Sequence, residues 1–269
     1  MSRITSSVAP LVRERRHTLH FLREIRSVSA VHLDTDVDVS TIQRQQAILR
    51  AAGHSRSLVT YVLYAASRVL ARHPDANAAI RGRLRPQVAH YSTVNGKLTL
   101  DRTINGQRVV LSAVFADLQR TGLDDIQERL QVLKTGDPAE LADFAGARLL
   151  HRLPIPLGSM LFRLGIRPFG RRASALGTFA VSSLGHRSID GFHAIGGTTI
   201  TFGLGQVADR PVVRDGAVVV APVLRLNMSF DHRMIDGAEA ADVLAEVKAA
   251  LEGFSEKGIQ ELDREIPAI

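Results

Sequence analysis

Residues 229–237 read S-F-D-H-R-M-I-D-G, and they stand where the rhythm of the chain changes. From Val223 to Phe230 the sequence alternates, with Leu224, Leu226, Met228 and Phe230 on one side and Arg225, Asn227 and Ser229 on the other. A period of two predicts a half-buried strand. After Gly237 the period becomes helical, with Ala240, Val243, Leu244, Val247 and Leu251 on one face. His232 therefore falls on the turn between a strand and a helix, held by a rigid element on either side. A histidine so placed suits a general base, which must sit within hydrogen-bond reach of the proton it takes. Imidazole can accept a proton at neutral pH. Asp236, one helical turn on, can shape the turn or the imidazole's surroundings. On spacing alone, a lone H-x-x-x-D is more often an exposed turn than a catalytic pair.

Working outward, A-V-H-L-D-T-D-V-D-V alternates over Val31, Leu33, Thr35, Val37 and Val39 and predicts another strand. Ser57 can cap a helix running to about Arg72, with Val59, Val62, Leu63, Ala66 and Leu70 on one face. His73-Pro74 ends it, because the residue before proline disfavours helix. Residues 88–115 read as strands broken at Asn95-Gly96 and Asn105-Gly106, both hairpin signals because the pair tolerates positive φ. Helices are predicted from about Leu123 and from Asp137, the latter opening D-P-A-E with a cap, a first-turn proline and a reaching glutamate. G-T-F-A-V-S-S-L-G and T-T-I-T-F-G-L-G read as short strands, and Asp215-Gly216 joins two valine-rich ones. Strands alternating with long helices make this an α/β protein.

The 269 residues suffice for one large domain or two small ones, and a 45% hydrophobic content can fill a sizeable core. The net charge is +7, and only Lys97, Lys134, Lys248 and Lys257 among the basic residues are lysines. Arginine carries the excess; its planar fork suits phosphate and carboxylate, although genome composition explains it as well. Cysteine is absent, which excludes disulfides, thiolate metal sites and a cysteine nucleophile. The ten histidines are scattered, so no metal is expected. Aromatics are 5% and no stacking platform is visible, which argues against nucleic acid. The N-terminus lacks an apolar signal region, and a cytoplasmic protein is expected.

Residues 1–26 form a basic arm or amphipathic helix. Segment 144–176 is apolar and basic, broken by prolines and glycines, and no acid occurs from 144 to 189. Its core, about 148–172, is expected to form a lid or arm over a pocket or a partner surface, or else a disordered loop. It lacks an unbroken amphipathic period, so membrane contact is not expected.

D-H-R-M-I-D-G-A, between its alternating strand and its alanine-rich helix, resembles the catalytic motif of the dihydrolipoyl acyltransferases of 2-oxo acid dehydrogenase complexes. G-T-F-A-V-S-S-L-G is similar to that family's G-T-F-x-I-S-N-L-G strand. V-H-L-D-T-D-V-D-V and the helix S-L-V-T-Y-V-L-Y-A-A-S-R-V-L-A-R-H-P-D-A-N-A-A-I resemble its first core strand and first long helix. The match is specific over 177–252, supportive over 31–80 and weak between. The resemblance implies a two-layer sandwich of the chloramphenicol acetyltransferase type, with a mixed sheet and helices packed on one face. It divides the chain into the arm, 1–26, and a catalytic domain, 27–269, that carries the basic apolar insertion.

The same resemblance implies acyl transfer between coenzyme A and a dihydrolipoyl-type thiol or similar nucleophile. His232 would be the general base, and Ser182 the hydroxyl that stabilises the tetrahedral oxyanion; a small residue filling a tight strand is the other reading of Ser182. Asp236 would be an organiser paired with an N-terminal arginine, for which Arg16 is the candidate. The site would lie between subunits, implying a homotrimer or an assembly of trimers. None of the four lysines sits in a lipoyl-like D-K-A hairpin, so the lipoyl group or acyl carrier would come from another protein. The family's G-L-V-V-P-V-I strand and its I-N-P-P-Q turn are replaced by G-Q-R-V-V-L-S-A-V and A-I-G-G-T-T-I, which leaves the acyl group and acceptor open. A non-catalytic assembly core is the competing reading; a scaffold has no need of His232, Asp236 and Ser182 together.

Overall fold

The strand that carries the motif is the second strand of a long hairpin at the centre of a six-stranded sheet. The computed structural model describes residues 8–82 and 84–266; the first seven residues of the expected basic arm lie outside the described residues. In chain order the strands are β1 (Ala30–Asp38), β2 (Ala78–Arg81), β3 (Gln87–His90), β4 (Gly96–Ile104), β5 (Gln107–Phe115), β6 (Phe179–Ser183), β7 (Ile200–Arg214) and β8 (Ala217–Asp231). The helices are α1 (Arg16–Glu24), α2 (Ser40–Ala51), α3 (Leu58–Arg72), α4 (Leu123–Thr135), α5 (Ala145–Arg152), α6 (Ile155–Ile166), α7 (Phe169–Leu176), α8 (Gly237–Glu252) and α9 (Glu256–Arg264). The main sheet runs β1-β8-β7-β6-β4-β5, with β6 parallel to both neighbours and the other pairs antiparallel; β2 and β3 form a separate ribbon. The expected mixed sheet and α/β architecture are present, with α3 and α8 packed on one face; the helices are not confined to that face, because α1 and α5 to α7 lie over the other side of β4, β5 and β6.

Alternation decides which face meets the helices. Leu98 and Leu100 of β4, Phe179 and Val181 of β6, Ile200 and Phe202 of β7, and Leu224 to Phe230 at every second position of β8 all enter one core. The helices α3 and α8 close it. Ser57 caps α3 as expected, its hydroxyl accepting from the Val59 amide. All five residues expected on the inner face of α8 are buried. Each of the four larger side chains, Val243, Leu244, Val247 and Leu251, contributes ~1.5–3 kcal/mol when removed from water, which makes this helix, and hence the turn before it, a fixed part of the fold.

The opposite face is where the structure departs from the sequence reading. Asn227 and Ser229, expected to face outward, are buried. The loop between β6 and β7 lies across them, and the two glycines of T-F-G-L-G permit it. A β-carbon at Gly203 would come within 2.1 Å of the Phe192 carbonyl oxygen, and one at Gly205 within 2.1 Å of that of Asp190. Under the same loop, His32 Nδ1 lies 2.9 Å from the Ser229 hydroxyl and its ring meets that of His193 at 4.7 Å.

The turn signals need two corrections. Asn105-Gly106 does close the β4–β5 hairpin, with φ of 51° and 74°. Asn95-Gly96 is no turn. Asn95 is buried, accepting from the Asp117 amide and donating to the Ala173 carbonyl, while Gly96 begins β4 in close contact with Leu118 and Phe179. The helix expected from Asp137 begins only at Ala145. Asp137 still accepts from the Ala139 amide, as a cap would, but the chain makes an isolated turn there and a short 3-10 segment before α5.

Candidate active site

The helices α5, α6 and α7 occupy the segment whose glycines and prolines forbid one long helix. With α1 they lie over the face of β5, β4 and β6 that points away from the core, enclosing a cavity of about 660 Å³. Its walls are mainly apolar, Phe21, Val110, Leu150, Phe162 and Ile166 among them. Close side-chain fits hold α1 to this roof. His20 is buried with Nδ1 2.9 Å from the Ser159 hydroxyl, and a β-carbon at Gly158 would lie 2.7 Å from its Nε2, so only glycine admits the ring. His151 Nε2 lies 2.8 Å from His17 Nδ1, and burial pushes the His151 ring down to about 4.

On the cavity floor a polar row breaks the apolar wall. Lys97 and Thr99 on β4, Ser182 on β6 and Thr201 on β7 all line it. Thr99 is paired directly with Ser182 across the parallel strands, and its hydroxyl donates to Ser182 Oγ at 2.7 Å. That bond uses a lone pair of Ser182 and leaves its proton free to donate into the cavity. The contact fixes the position of the Ser182 hydroxyl in the cavity wall.

His232 stands on the turn between β8 and α8, as expected, its amide donating to the Ser29 carbonyl at 2.9 Å. Its side chain is half-exposed, and Nδ1 lies 3.5 Å from an Asp236 carboxylate oxygen. The residue that anchors the turn is Asp231, which sequence reasoning passed over. It is buried, accepts from the Ser29 and Arg233 amides, and pairs with the Arg233 guanidinium. Burial alone would raise its carboxyl; the Arg233 pair and the amides outweigh that and hold it below the ordinary carboxylate range. The signal was the D-H-R triplet itself, an acid and a base two apart flanking the histidine.

Arg16 is not the partner of Asp236. Its guanidinium donates to the His151 and Leu153 carbonyls at 3.1 and 2.7 Å, satisfying the exposed C-terminal end of α5. Asp236 is 91% exposed, and among the described residues no arginine pairs with it.

Ser182 and His232 do not meet within one chain. Ser182 pairs with Gly203 and Gly203 with Asn227, two strand spacings or ~10 Å across. His232 lies five residues beyond Asn227, a further ~17 Å along the strand, so the two α-carbons are roughly 19 Å apart. His232 does not line the cavity.

Residues 173–258 match the family model of the 2-oxoacid dehydrogenases acyltransferase (catalytic domain). A probable dihydrolipoamide acetyltransferase from Listeria monocytogenes superposes with a TM-score of 0.70 at 18% identity, covering 94% of this chain and 97% of that one. This is the dihydrolipoyl acyltransferase fold. The cubic core of a pyruvate dehydrogenase multienzyme complex shares the fold with a TM-score of 0.67 at 20% identity, covering 95% of this chain and 94% of its own. In sequence, the acetyltransferase component of the pyruvate dehydrogenase complex of Bacillus subtilis is 55% identical over 49 residues. That stretch is 18% of this chain and 11% of the relative's length, so the likeness spans a small part of either protein. The matched third of the acyltransferase fold runs from the end of α7 through α8 and contains both Ser182 and His232. The cavity's floor on β4 and β5 and its roof before residue 173 lie outside it.

Proposed function

We propose that the protein transfers acyl groups between coenzyme A and a thiol of the dihydrolipoyl type. The observation that carries this reading is the Thr99-oriented Ser182 hydroxyl, aimed into an apolar cavity in a fold whose other motif residue, His232, sits on a rigid turn. His232 takes the proton of the attacking thiol, and the sulfur adds to the thioester carbonyl. The carbonyl oxygen becomes an oxyanion that accepts the Ser182 hydrogen bond. Collapse breaks the bond to the coenzyme A sulfur, and His232 returns the proton to that leaving thiolate. Reversal moves the acyl group the other way. Because Ser182 and His232 are far apart in one chain, each site is built from two copies, Ser182 of one and His232 of a neighbour. That arrangement calls for a closed homo-oligomer, a trimer or an assembly of trimers. The acyl acceptor is then a thiol of a lipoyl-type group. Coenzyme A thioesters are an intracellular pool, and the reading carries a cytoplasmic location with it. Asp236 lies beside the imidazole and helps to orient it.

The test is turnover of acyl-CoA with dihydrolipoamide, followed by free coenzyme A release. His232→Ala should cost roughly 10²–10⁴ in rate, the usual worth of a general base, with folding intact because the side chain is half-exposed. Wild-type kcat/KM in that variant would defeat the assignment. Absence of turnover with any acyl-CoA by the wild type would favour an assembly core that uses only the fold.

A further inference from the structure

The cavity contains a cation that the proposed chemistry does not use. Lys97 is 2% exposed and is the one lysine or arginine among the described residues that line the cavity. Its ammonium donates to the Gly196 carbonyl and stands 4.5 Å above the Phe21 ring centroid. An ammonium has three donors, and among the described residues no carboxylate pairs with this one. Among the described residues, the one acid in the cavity wall, Asp143, is taken by Arg129. A buried charge without a counter-charge is costly. Burial, and then nearby Arg172, push the Lys97 ammonium down to about 7, so its charge is poised to be restored by an anion.

Position gives the anion a role. Lys97 and Thr99 point from the same face of β4, two residues or ~7 Å apart, and Thr99 orients Ser182. A chain whose thioester carbonyl rests at Ser182 can reach Lys97 with its far end, its methylenes lying against the apolar roof. We propose that the cavity selects acyl groups that end in a carboxylate, with Lys97 as the counter-ion that determines this specificity. The inference rests on the acyltransferase reading and adds to it the class of acyl group.

Glutaryl-CoA and its shape-matched neutral analogue 5-methylhexanoyl-CoA provide the test, with binding measured calorimetrically in the absence of a thiol acceptor. A charge-assisted contact is worth ~1.5–3 kcal/mol, so the wild type should prefer glutaryl-CoA by about ten- to a hundredfold at pH 6.5. Lys97→Met, which keeps the apolar stem, should abolish the preference. The wild type supplies an independent arm that does not depend on the variant's folding. As pH rises from 7 to 9 the free lysine loses its proton, and the preference ratio should fall by up to about tenfold per unit. The other charged or titratable groups nearby are Arg172 on α7, Glu24 and His17 on α1, and Asp143 before α5; the ratio cancels effects they exert on both ligands. A ratio near one, or one indifferent to pH and to Lys97→Met, overturns the proposal while leaving acyl transfer standing. Failure of both thioesters to bind overturns the acyltransferase reading and this proposal together.

Discussion

On the proposed mechanism the Ser182 hydroxyl is worth most at the moment negative charge forms on the carbonyl oxygen, and that timing determines how its loss should look. Ser182→Ala should lower kcat by roughly 10²–10³ with little change in KM, since an oxyanion donor contributes ~2.7–4 kcal/mol in the transition state alone. Thr99→Val keeps Ser182 but removes the bond that orients it, so kcat should fall by a smaller factor, about fivefold for one neutral hydrogen bond of ~1 kcal/mol. A thermal midpoint unchanged in both variants would place the losses on chemistry rather than folding. Asp231 should behave in the opposite way. It is buried in a bonded pair with Arg233, and Asp231→Ala should cost about 2 kcal/mol of stability. Its folded carboxyl titrates below the unfolded value. Its contribution is therefore complete above the ordinary carboxylate range and fades as pH falls through the lower folded value. Denaturant titrations at pH 7 and pH 3 should show the variant's deficit shrinking in acid.

At the level of elements, the strands and long helices were legible because each buries a periodic face; α8 follows its pattern residue for residue, β8 does so on its inner face, and α3 buries more than the predicted face, every residue from Val59 to Leu70. What stayed illegible was long-range contact. Asn95-Gly96 reads locally as a turn and is instead a buried bridge, because its side chain finds partners near residues 117 and 173. Asn227 and Ser229 read as an outer row until the 184–199 loop covers them. The resemblance singled out Ser182 and His232 and implied a site between subunits; the sheet register supplies the distance that separates them in one chain. The roof was the least legible part, since its helices are short and its contacts fall on α1, more than a hundred residues earlier. Those contacts carry a pH dependence. His151 faces His17, Arg16 and Glu14 from the N-terminal segment and Arg148 on its own helix. Its folded value near 4 lies below the unfolded 6.5, so its contribution is full above 6.5 and is lost as pH falls towards 4. Between pH 7 and 5 the wild type should lose on the order of 2 kcal/mol that His151→Gln does not lose. Equal losses in the two proteins would show that the histidine contact does not support the roof.

The whole molecule presents two features that one chain alone leaves unexplained. Beyond the point where β1 and β6 stop pairing, β7 and β8 continue as a two-stranded ribbon, and its Val213, Val218 and Val220 are each more than 70% exposed. Ser182 and His232 meanwhile lie too far apart to share a substrate. In the proposed oligomer a neighbouring copy brings its histidine to the serine, and the exposed valines are a surface that copy can cover. Val218→Asp together with Val220→Asp should therefore reduce oligomer size in light scattering and remove activity without unfolding the chain. A sharper test needs no damage to the interface. Mix the inactive variants Ser182→Ala and His232→Ala, unfold and refold them together, and assay the hybrids. If each site takes its serine from one chain and its histidine from the next, one pairing in four unites two intact residues. About a quarter of wild-type activity should then return from two dead proteins, as random assembly of a closed ring requires. If each chain instead builds its own site, every site in the mixture lacks one residue, and refolding together recovers nothing.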